Sequence, residues 1–406
     1  MGILIVAPEQ CVILAGGLGT RLGDMTKQCP KPLLLVGGKP FLSYLVQEAI
    51  RFGFKRILLL AGYLSDQIED FARDIAQELP PGVSISVISE PAPMGTGGAL
   101  RFALPQLDEQ FYLLNGDSWF CFNWLELASV ASSKDDWDAV LSLRTLEDTG
   151  RYGVVRLDGQ QVTEFHERGG GGPGYVNAGV YLLKRSFVAS FPDKASLERD
   201  LLPMQAVAGR VLGVPTHGFF IDIGVPDDFA TAQDSVPKQL VKPAVFFDRD
   251  GVLNQDRGYT HKPDDLSFVD GAEMAVKRLN DAGYYVFVVT NQSGVARGYY
   301  EESAVTTFHT EMQRRLRSLG AHVDDWRYCP FLLGAPLKHY DRAHPWRKPE
   351  PGMIIDLMTN WSVDVERSFL IGDKPTDIEA ANRAGIEGFV YAGGNLDQLV
   401  GDILSA

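Results

Sequence analysis

Short β-rich runs alternate with helical stretches twice over in this chain, once from Cys11 and again from Ala244, and that alternation leaves few folds open. Strand followed by helix, repeated, closes most readily as a largely parallel sheet with helices on both faces. In the first series, residues 11–15, 56–61, 84–89 and 111–115 read as buried strands, and 41–52, 65–78 and 97–104 carry helical periodicity. The pattern loosens after a further strand at 139–143, and residues 169–174 form a glycine-rich loop. The second series places strands at 244–247, 285–290, 368–371 and 388–391, with helices at 272–282, 301–319, 353–360 and 376–384. Ser235-Val236-Pro237-Lys238, followed by Lys242-Pro243, lies between the series and reads as a linker. A chain of 406 residues is also too long for one ordinary core. The expectation is two α/β domains, 1–237 with a mixed sheet and 238–406, without internal repeats.

Hydrophobic residues at 45% and charged residues at 22% suit a globular protein rather than a disordered one. No apolar run has the length of a membrane span, and the opening MGILIVAPEQ lacks the basic lead of a secretory signal. The four cysteines, Cys11, Cys29, Cys121 and Cys329, have no framework spacing, so a reduced cytoplasmic setting is the expectation. A net charge of −14 argues against general nucleic-acid binding. An acidic chain that handles phosphates needs local cations, and ideally divalent metals, inside its clefts.

Leu14-Ala15-Gly16-Gly17-Leu18-Gly19-Thr20-Arg21 follows the first strand directly. Its glycines let backbone N–H groups approach an anion, and Arg21 adds a fork of donors. Lys31, in Cys29-Pro30-Lys31-Pro32, offers a second cation. A tight packing turn explains such glycines equally well taken alone. Asn115-Gly116-Asp117 ends a buried strand, where open α/β sheets place their ligands, and Asp222 is a second acid among apolar residues. The two carboxylates suit Mg²⁺ held between nucleotide phosphates, although a strand-end Asp can simply cap a turn.

On the AGGxGTRL…PKPLL signature, residues ~10–235 resemble the sugar-1-phosphate nucleotidyltransferases. The resemblance implies a Rossmann-like domain in which Leu14, Gly16, Gly17, Gly19 and Thr20 cradle the nucleotide, with Gly95 and Thr96. It implies that Arg21 and Lys31 hold the triphosphate and that Asp117 and Asp222 bind magnesium. Glu90, in Glu-x4-Gly-Thr, falls at the base-reading position and resembles the guanylyltransferase branch. A carboxylate can accept from both N1–H and N2–H of guanine, whereas uracil and thymine offer one N–H. Glu167 and Asn177 fall where the family contacts sugar hydroxyls, although Glu167-Arg168-Gly169 replaces the more usual Glu-Lys-Pro.

Phe246-Phe247-Asp248-Arg249-Asp250-Gly251 is an apolar strand that breaks into an Asp-x-Asp-Gly turn. Residues two apart in an extended segment point the same way, so Asp248 and Asp250 can face one site. Asp248 can attack phosphorus as a nucleophile, with Asp250 as acid and base. Lys348 in Arg347-Lys348-Pro349 supplies a cation, and Thr290-Asn291-Gln292-Ser293-Gly294 supplies hydroxyl and amide donors. Asp373, after another strand, can complete a magnesium site, while Asp377 can cap or orient its loop.

FFDRDGVLNQDRGY (246–259), VVTNQSGVARGYY (288–300) and RKPEPGM (347–353) make residues ~244–406 resemble the haloacid dehalogenase superfamily. The likeness is greatest to its heptose-1,7-bisphosphate and histidinol-phosphate phosphatases. It implies a second Rossmann-like domain with Asp248 as nucleophile and Asp250 as acid/base. Thr290, Asn291 and Lys348 then bind phosphate, and Arg347 contacts substrate. Asp248, the Asp250 carbonyl and Asp373 hold Mg²⁺. The family's zinc loop maps onto Cys329, Phe331, His344 and Trp346, where two of four positions cannot bind zinc, so that site reads as lost. The expectation is a bifunctional enzyme that makes GDP-heptose from the sugar bisphosphate and a nucleoside triphosphate, GTP favoured. The alternatives open at this point are another sugar or a cyclitol phosphate with UTP or CTP, or one domain acting as a sensor without turnover.

Overall fold

In the computed structural model, which describes residues 7–150, 153–166 and 171–405, the first strands lie in the interior because they carry almost no polar side chains. Val12, Ile13, Leu58, Leu59, Leu113 and Leu114 are buried, as expected for parallel strands covered on both faces. We label β1 Gln10–Leu14, β2 Arg56–Ala61, β3 Ser84–Ser89, β4 Gln110–Asn115, β5 Ala139–Leu146, β6 Val154–Asp158, β7 Gln161–His166, β8 Gly174–Lys184 and β9 Val211–Thr216. Among the described residues these nine form one sheet in the order β3-β2-β1-β4-β8-β5-β9-β7-β6. The half from β3 to β4 is parallel, and β8 enters antiparallel to both β4 and β5. The sheet is therefore mixed. A helix at Phe41–Arg51 buries Phe41, Leu42, Leu45, Val46 and Ala49, and helices at Ser65–Ile75 and Gly95–Ala103 complete the alternation.

Two features position the first site. Leu14 pairs with Asn115, so the loops that follow β1 and β4 leave the sheet side by side. Gly116 donates its N–H to the Leu14 carbonyl at 3.0 Å, and a Cβ at Gly116 would stand 2.2 Å from that oxygen, which only glycine permits. A short strand, Phe220–Asp222, then pairs antiparallel with Ser118–Phe120 and brings Asp222 opposite Ser118.

The residues read as a linker, Ser235–Lys238, are instead the last turn of a helix, Pro226–Lys238. Val236 is fully buried, and Pro237 sits so close to the end that its missing N–H costs a single ladder bond. Packing divides the chain between Gln239 and Leu240.

The second unit is built on β10 Ala244–Phe247, β11 Tyr285–Asn291, β12 Asp325–Cys329, β13 Phe369–Gly372 and β14 Glu387–Val390, in the order β12-β11-β10-β13-β14, all parallel. Its central strand is apolar throughout and fully buried. The expected helices occur at Ala272–Asp281, Glu302–Ser318, Gly352–Asn360 and Pro375–Ala384. No helix among the described residues is long and apolar enough to cross a membrane.

Candidate active sites

In the first unit the loop after β1 bends through Gly19, whose φ of 63° puts it in the left-handed region. Thr26 closes the loop by donating its hydroxyl to the Gly19 carbonyl at 3.1 Å. Lys31 is buried, with Nζ 2.5 Å from Asp117 Oδ2 and 3.6 Å from Asp222 Oδ1. Arg21 joins them at Gly224. A Cβ there would lie 2.7 Å from Asp222 Oδ1, 2.9 Å from Lys31 Nζ and 3.0 Å from Arg21 Nη2. The Gly224 N–H also donates to Asp222 Oδ1 at 2.7 Å. Burial, reinforced by the nearby Asp117 charge, raises the Asp222 carboxyl above its ordinary range, against the pull of Lys31 and Arg21. Two carboxylates thus converge on one cation, a donor set that also suits a divalent metal.

Glu90 lies over the same loop. Its Oε2 accepts from the Met94 N–H at 3.2 Å, and its Oε1 is the nearest atom to Cβ positions built on Gly16 and Gly62, at 3.0 and 2.4 Å. Burial raises the Glu90 carboxyl, partly offset by the Met94 bond. Gly95 has a φ of 75° and faces the Ala195 carbonyl. The Thr96 hydroxyl donates to Glu198 Oε2 at 2.7 Å and accepts from the Leu197 N–H at 2.8 Å. Asn177 donates to the Tyr181 hydroxyl at 2.9 Å and accepts from the Gly179 N–H at 3.2 Å. Glu167 lies outside the described residues. Gly62, Glu198 and Gly224 escaped the sequence reading. A glycine directly after β2 was the available signal for Gly62, whereas Glu198 and Gly224 had none, because their partners are distant in the chain.

In the second unit β10 delivers Asp248, whose N–H donates to the Ile371 carbonyl of β13 at 3.0 Å. Lys348 is buried between two acids, with Nζ 2.9 Å from Asp248 Oδ1 and 2.7 Å from Asp377 Oδ1, and it donates to the Val289 carbonyl at 2.8 Å. Burial pushes the Asp248 carboxyl up to about 6, although Lys348 lowers it. Carboxylate oxygens of Asp248, Asp373 and Asp377 lie within 4.8 Å of one another. Asp373 Oδ1 is buried and has no hydrogen-bond partner, so this cluster fits a cation that would take up the orphaned oxygen. Gly251, at φ 93°, leaves room for the group, since its Cβ would meet Asp373 Oδ2 at 2.5 Å.

Asp250 is turned differently. Arg249, fully buried, grips it from Nη2 at 3.0 and 2.8 Å, Asn254 donates at 3.0 Å and Gln292 at 2.8 Å. The Tyr300 hydroxyl holds Gln292 Oε1 at 2.8 Å, and Gln292 also donates to Thr290 Oγ1 at 2.9 Å. Both ends of the Asn291 amide are used on the backbone of Lys348, each at 3.1 Å. Arg249, Asn254 and Gln292 lay inside the quoted motifs, but nothing in their spacing told that they converge on Asp250.

At the four zinc-loop positions, Phe331 stacks on His344 with ring centroids 4.3 Å apart, and Arg342 covers Phe331 at 4.1 Å. The His344 ring accepts from the Trp346 N–H at 3.1 Å. Glu302 accepts from the hydroxyls of Tyr328 at 2.6 Å and Tyr340 at 2.7 Å, which fastens the loop to the helix Glu302–Ser318.

Comparison with known proteins divides along the same lines. Residues 10–239 match the family described as Nucleotidyl transferase, and 345–401 match the one described as HAD-hydrolase-like. The chain is 47% identical over 163 residues to a D-glycero-beta-D-manno-heptose-1,7-bisphosphate 7-phosphatase of Rhodopseudomonas palustris, covering 40% of this chain and 91% of that one. It is 32% identical over 227 residues to a D-glycero-alpha-D-manno-heptose 1-phosphate guanylyltransferase of Aneurinibacillus thermoaerophilus, covering 55% of this chain and 96% of that one. The crystal structure of HddC from Yersinia pseudotuberculosis is similar at a TM-score of 0.50 and 34% identity, covering 56% of this chain and 99% of that one. With the mixed sheet and its acid–lysine cluster in one unit and the Asp248–Lys348 pair in the other, the chain belongs to the nucleotidyl transferase family in its first unit and to the haloacid dehalogenase-like hydrolases in its second.

Proposed function

We propose that the chain carries out two consecutive steps toward a nucleotide-activated heptose. The second unit removes the 7-phosphate of D-glycero-D-manno-heptose 1,7-bisphosphate, and the unit ending at Gln239 couples the remaining sugar 1-phosphate to GMP from GTP. The observation that carries this reading is that relatives named for two reactions on the same sugar cover the two halves of one chain. Hydrolysis at C7 leaves the anomeric centre untouched, so the two steps connect only through a shared anomer. The phosphatase relatives are named for both anomers, beta in Rhodopseudomonas palustris at 47% identity and alpha in Photorhabdus laumondii at 36%, whereas the guanylyltransferase relatives are named for the alpha 1-phosphate. Because the transfer step must accept the product, we assign the alpha anomer to both steps.

In the phosphatase, Asp248 Oδ attacks phosphorus and forms a phosphoaspartate as the P–O bond to the sugar breaks. Lys348 neutralises the charge near the nucleophile and holds its orientation. Asp250, aimed by Arg249, Asn254 and Gln292, gives a proton to the leaving sugar oxygen and later takes one from the water that releases phosphate. Asp248, Asp373 and the Asp250 carbonyl would hold Mg²⁺, with Asp377 at the edge of that cluster; the ion, when bound, offsets phosphate charge. In the transferase no protein nucleophile is needed. The sugar phosphate attacks the α-phosphorus of GTP and pyrophosphate leaves, with Arg21 and Lys31 on the triphosphate; Asp117 and Asp222 would hold Mg²⁺. Glu90 reads the base and Asn177 binds the sugar, a role that the resemblance also gives to Glu167. Pyrophosphate release from heptose 1-phosphate with GTP, UTP, CTP, ATP and dTTP tests this. GTP should lead the panel, and equal rates with all five would remove the guanine assignment.

A further inference from the structure

Three side chains hold Asp250, and one of them has an orientation that Asp250 alone does not secure. Arg249 offers only donors, and Asn254 is fixed by the Gln255 carbonyl, to which its Nδ2 donates at 3.0 Å. Gln292 is different. It is buried, and its Nε2 donates to Asp250 Oδ2 at 2.8 Å and to Thr290 Oγ1 at 2.9 Å. A primary amide turned end for end fills the same space with donor and acceptor exchanged. Against an ionised Asp250 the turned amide sets oxygen on oxygen, which is disfavoured. Against an Asp250 that carries the proton meant for the leaving sugar oxygen, the turned carbonyl accepts that proton in a hydrogen bond of its own. The acid step therefore needs a second constraint on the amide.

Tyr300 supplies it. Its hydroxyl donates to Gln292 Oε1 at 2.8 Å and has no other acceptor among the described residues, so a turned amide strands its hydrogen. Burial pushes the hydroxyl up to about 12, against the lowering charge of Arg249, which keeps it a donor. The chain is shaped to bring this ring back to Gln292. It leaves β11, runs through the short helix Ser293–Ala296 and reverses at Gly298, whose φ is 76°, with the Tyr299 N–H donating to the Gly294 carbonyl at 2.9 Å. Gly294 gives the ring its seat, since a Cβ there would lie 2.3 Å from the Tyr300 ring and 2.6 Å from its hydroxyl oxygen. His261 stacks on the ring, with centroids 4.3 Å apart and planes 16° from parallel. The hydroxyl is thus held in place by contacts separate from the bond it makes.

We infer that Tyr300 is a positioning residue of the phosphatase, which acts through Gln292 to keep an amide donor, and never the carbonyl, against Asp250. The inference rests on the bisphosphatase reading and adds what orients its acid. The test measures kcat/KM, which covers the steps up to departure of the leaving group, for heptose 1,7-bisphosphate and for para-nitrophenyl phosphate, whose leaving oxygen needs no proton. Tyr300→Phe keeps the ring and removes the hydroxyl. It should lower kcat/KM for the bisphosphate roughly tenfold, the worth of one hydrogen bond, and lower that for the aryl ester much less. In a Gln292→Ala background the same change should cost the bisphosphate about twofold at most, because the group it acts through is gone. Equal losses on both esters, no loss on the bisphosphate, or the full loss in the Gln292→Ala background overturns the inference and leaves the bisphosphatase reading standing. A wild type that cleaves the aryl ester but not the bisphosphate overturns that reading and the inference with it.

Discussion

Gly224 shows how a residue without a side chain can control a charged site. The atoms a methyl group would strike there are the ends of Asp222, Lys31 and Arg21, which can swing aside, so Gly224→Ala should fold normally. The displaced ends no longer meet the triphosphate, and a shift of about 1 Å in positioning groups costs on the order of a hundredfold in rate. We expect an unchanged Tm with nucleotidyl transfer reduced by that order, measured by pyrophosphate release; a full-rate variant would remove Gly224 from the site. Glu90 is a sharper test of the base. Its Oε2 already accepts from Met94, so Glu90→Gln can keep that bond and still place a donor against guanine. A buried donor facing a donor costs roughly 1–3 kcal/mol, or about ten- to a hundredfold. The GTP-to-UTP ratio of kcat/KM should drop accordingly, whereas an equal loss for both nucleotides would make Glu90 only a loop cap. Asp248 carries a cost in the resting protein. Its folded carboxyl is raised to about 6 from an ordinary 3.8, so between those values the native state keeps a proton that the unfolded state has lost. Stability falls as pH rises through that window. In EDTA, Asp248→Asn should therefore raise Tm at pH 8 and change it little at pH 4; equal shifts at both would contradict the burial argument.

At the level of elements, legibility followed burial. Strands β1, β2, β10 and β13 are covered on both faces, so their apolar runs could be read directly, and the acids that follow β10 and β13, Asp248 and Asp373, marked the ligand edge. The antiparallel half was obscure for physical reasons. Strand β7 exposes Thr163, Glu164 and His166, and β8 contains Gly174, Asn177 and Gly179, which read as loop. Its register shifts between Asn177 and Tyr181, and that irregularity turns Asn177 toward the Tyr181 hydroxyl. Helix Pro226–Lys238 was not read from the sequence, and its last turn read as a linker, because a proline near a helix end resembles one. Motif residues such as Asp222 and Asp250 were visible, whereas the groups that orient them, Gly224 and Arg249 among them, depend on contacts that only the folded chain creates. The segment from Cys329 to Trp346 holds the four positions onto which the resemblance maps a zinc loop. The Phe331–His344 ring stack occupies two of those positions, and Glu302 clasps the loop through Tyr328 and Tyr340 without a metal, so phosphatase activity should survive removal of zinc when Mg²⁺ is restored. Elemental analysis that finds one zinc per chain, with activity lost on its removal, would overturn this.

For the whole molecule the claim is that one chain joins two reactions by sharing a sugar phosphate. Each unit carries its own acid–lysine cluster at the ends of its own strands. Fusion raises the local concentration of the intermediate only if the sites lie close enough for it to be recaptured, and the two chemistries do not otherwise need each other. The direct measurement is a mass-spectrometric time course with D-glycero-α-D-manno-heptose 1,7-bisphosphate, GTP and Mg²⁺, run on the wild type and on Asp248→Asn. The account predicts GDP-heptose from the wild type, none from Asp248→Asn, and full recovery in that variant when heptose 1-phosphate is supplied in place of the bisphosphate. Failure of folded Asp248→Asn to use supplied heptose 1-phosphate, or a wild type that releases phosphate without ever forming a nucleotide sugar, would contradict it.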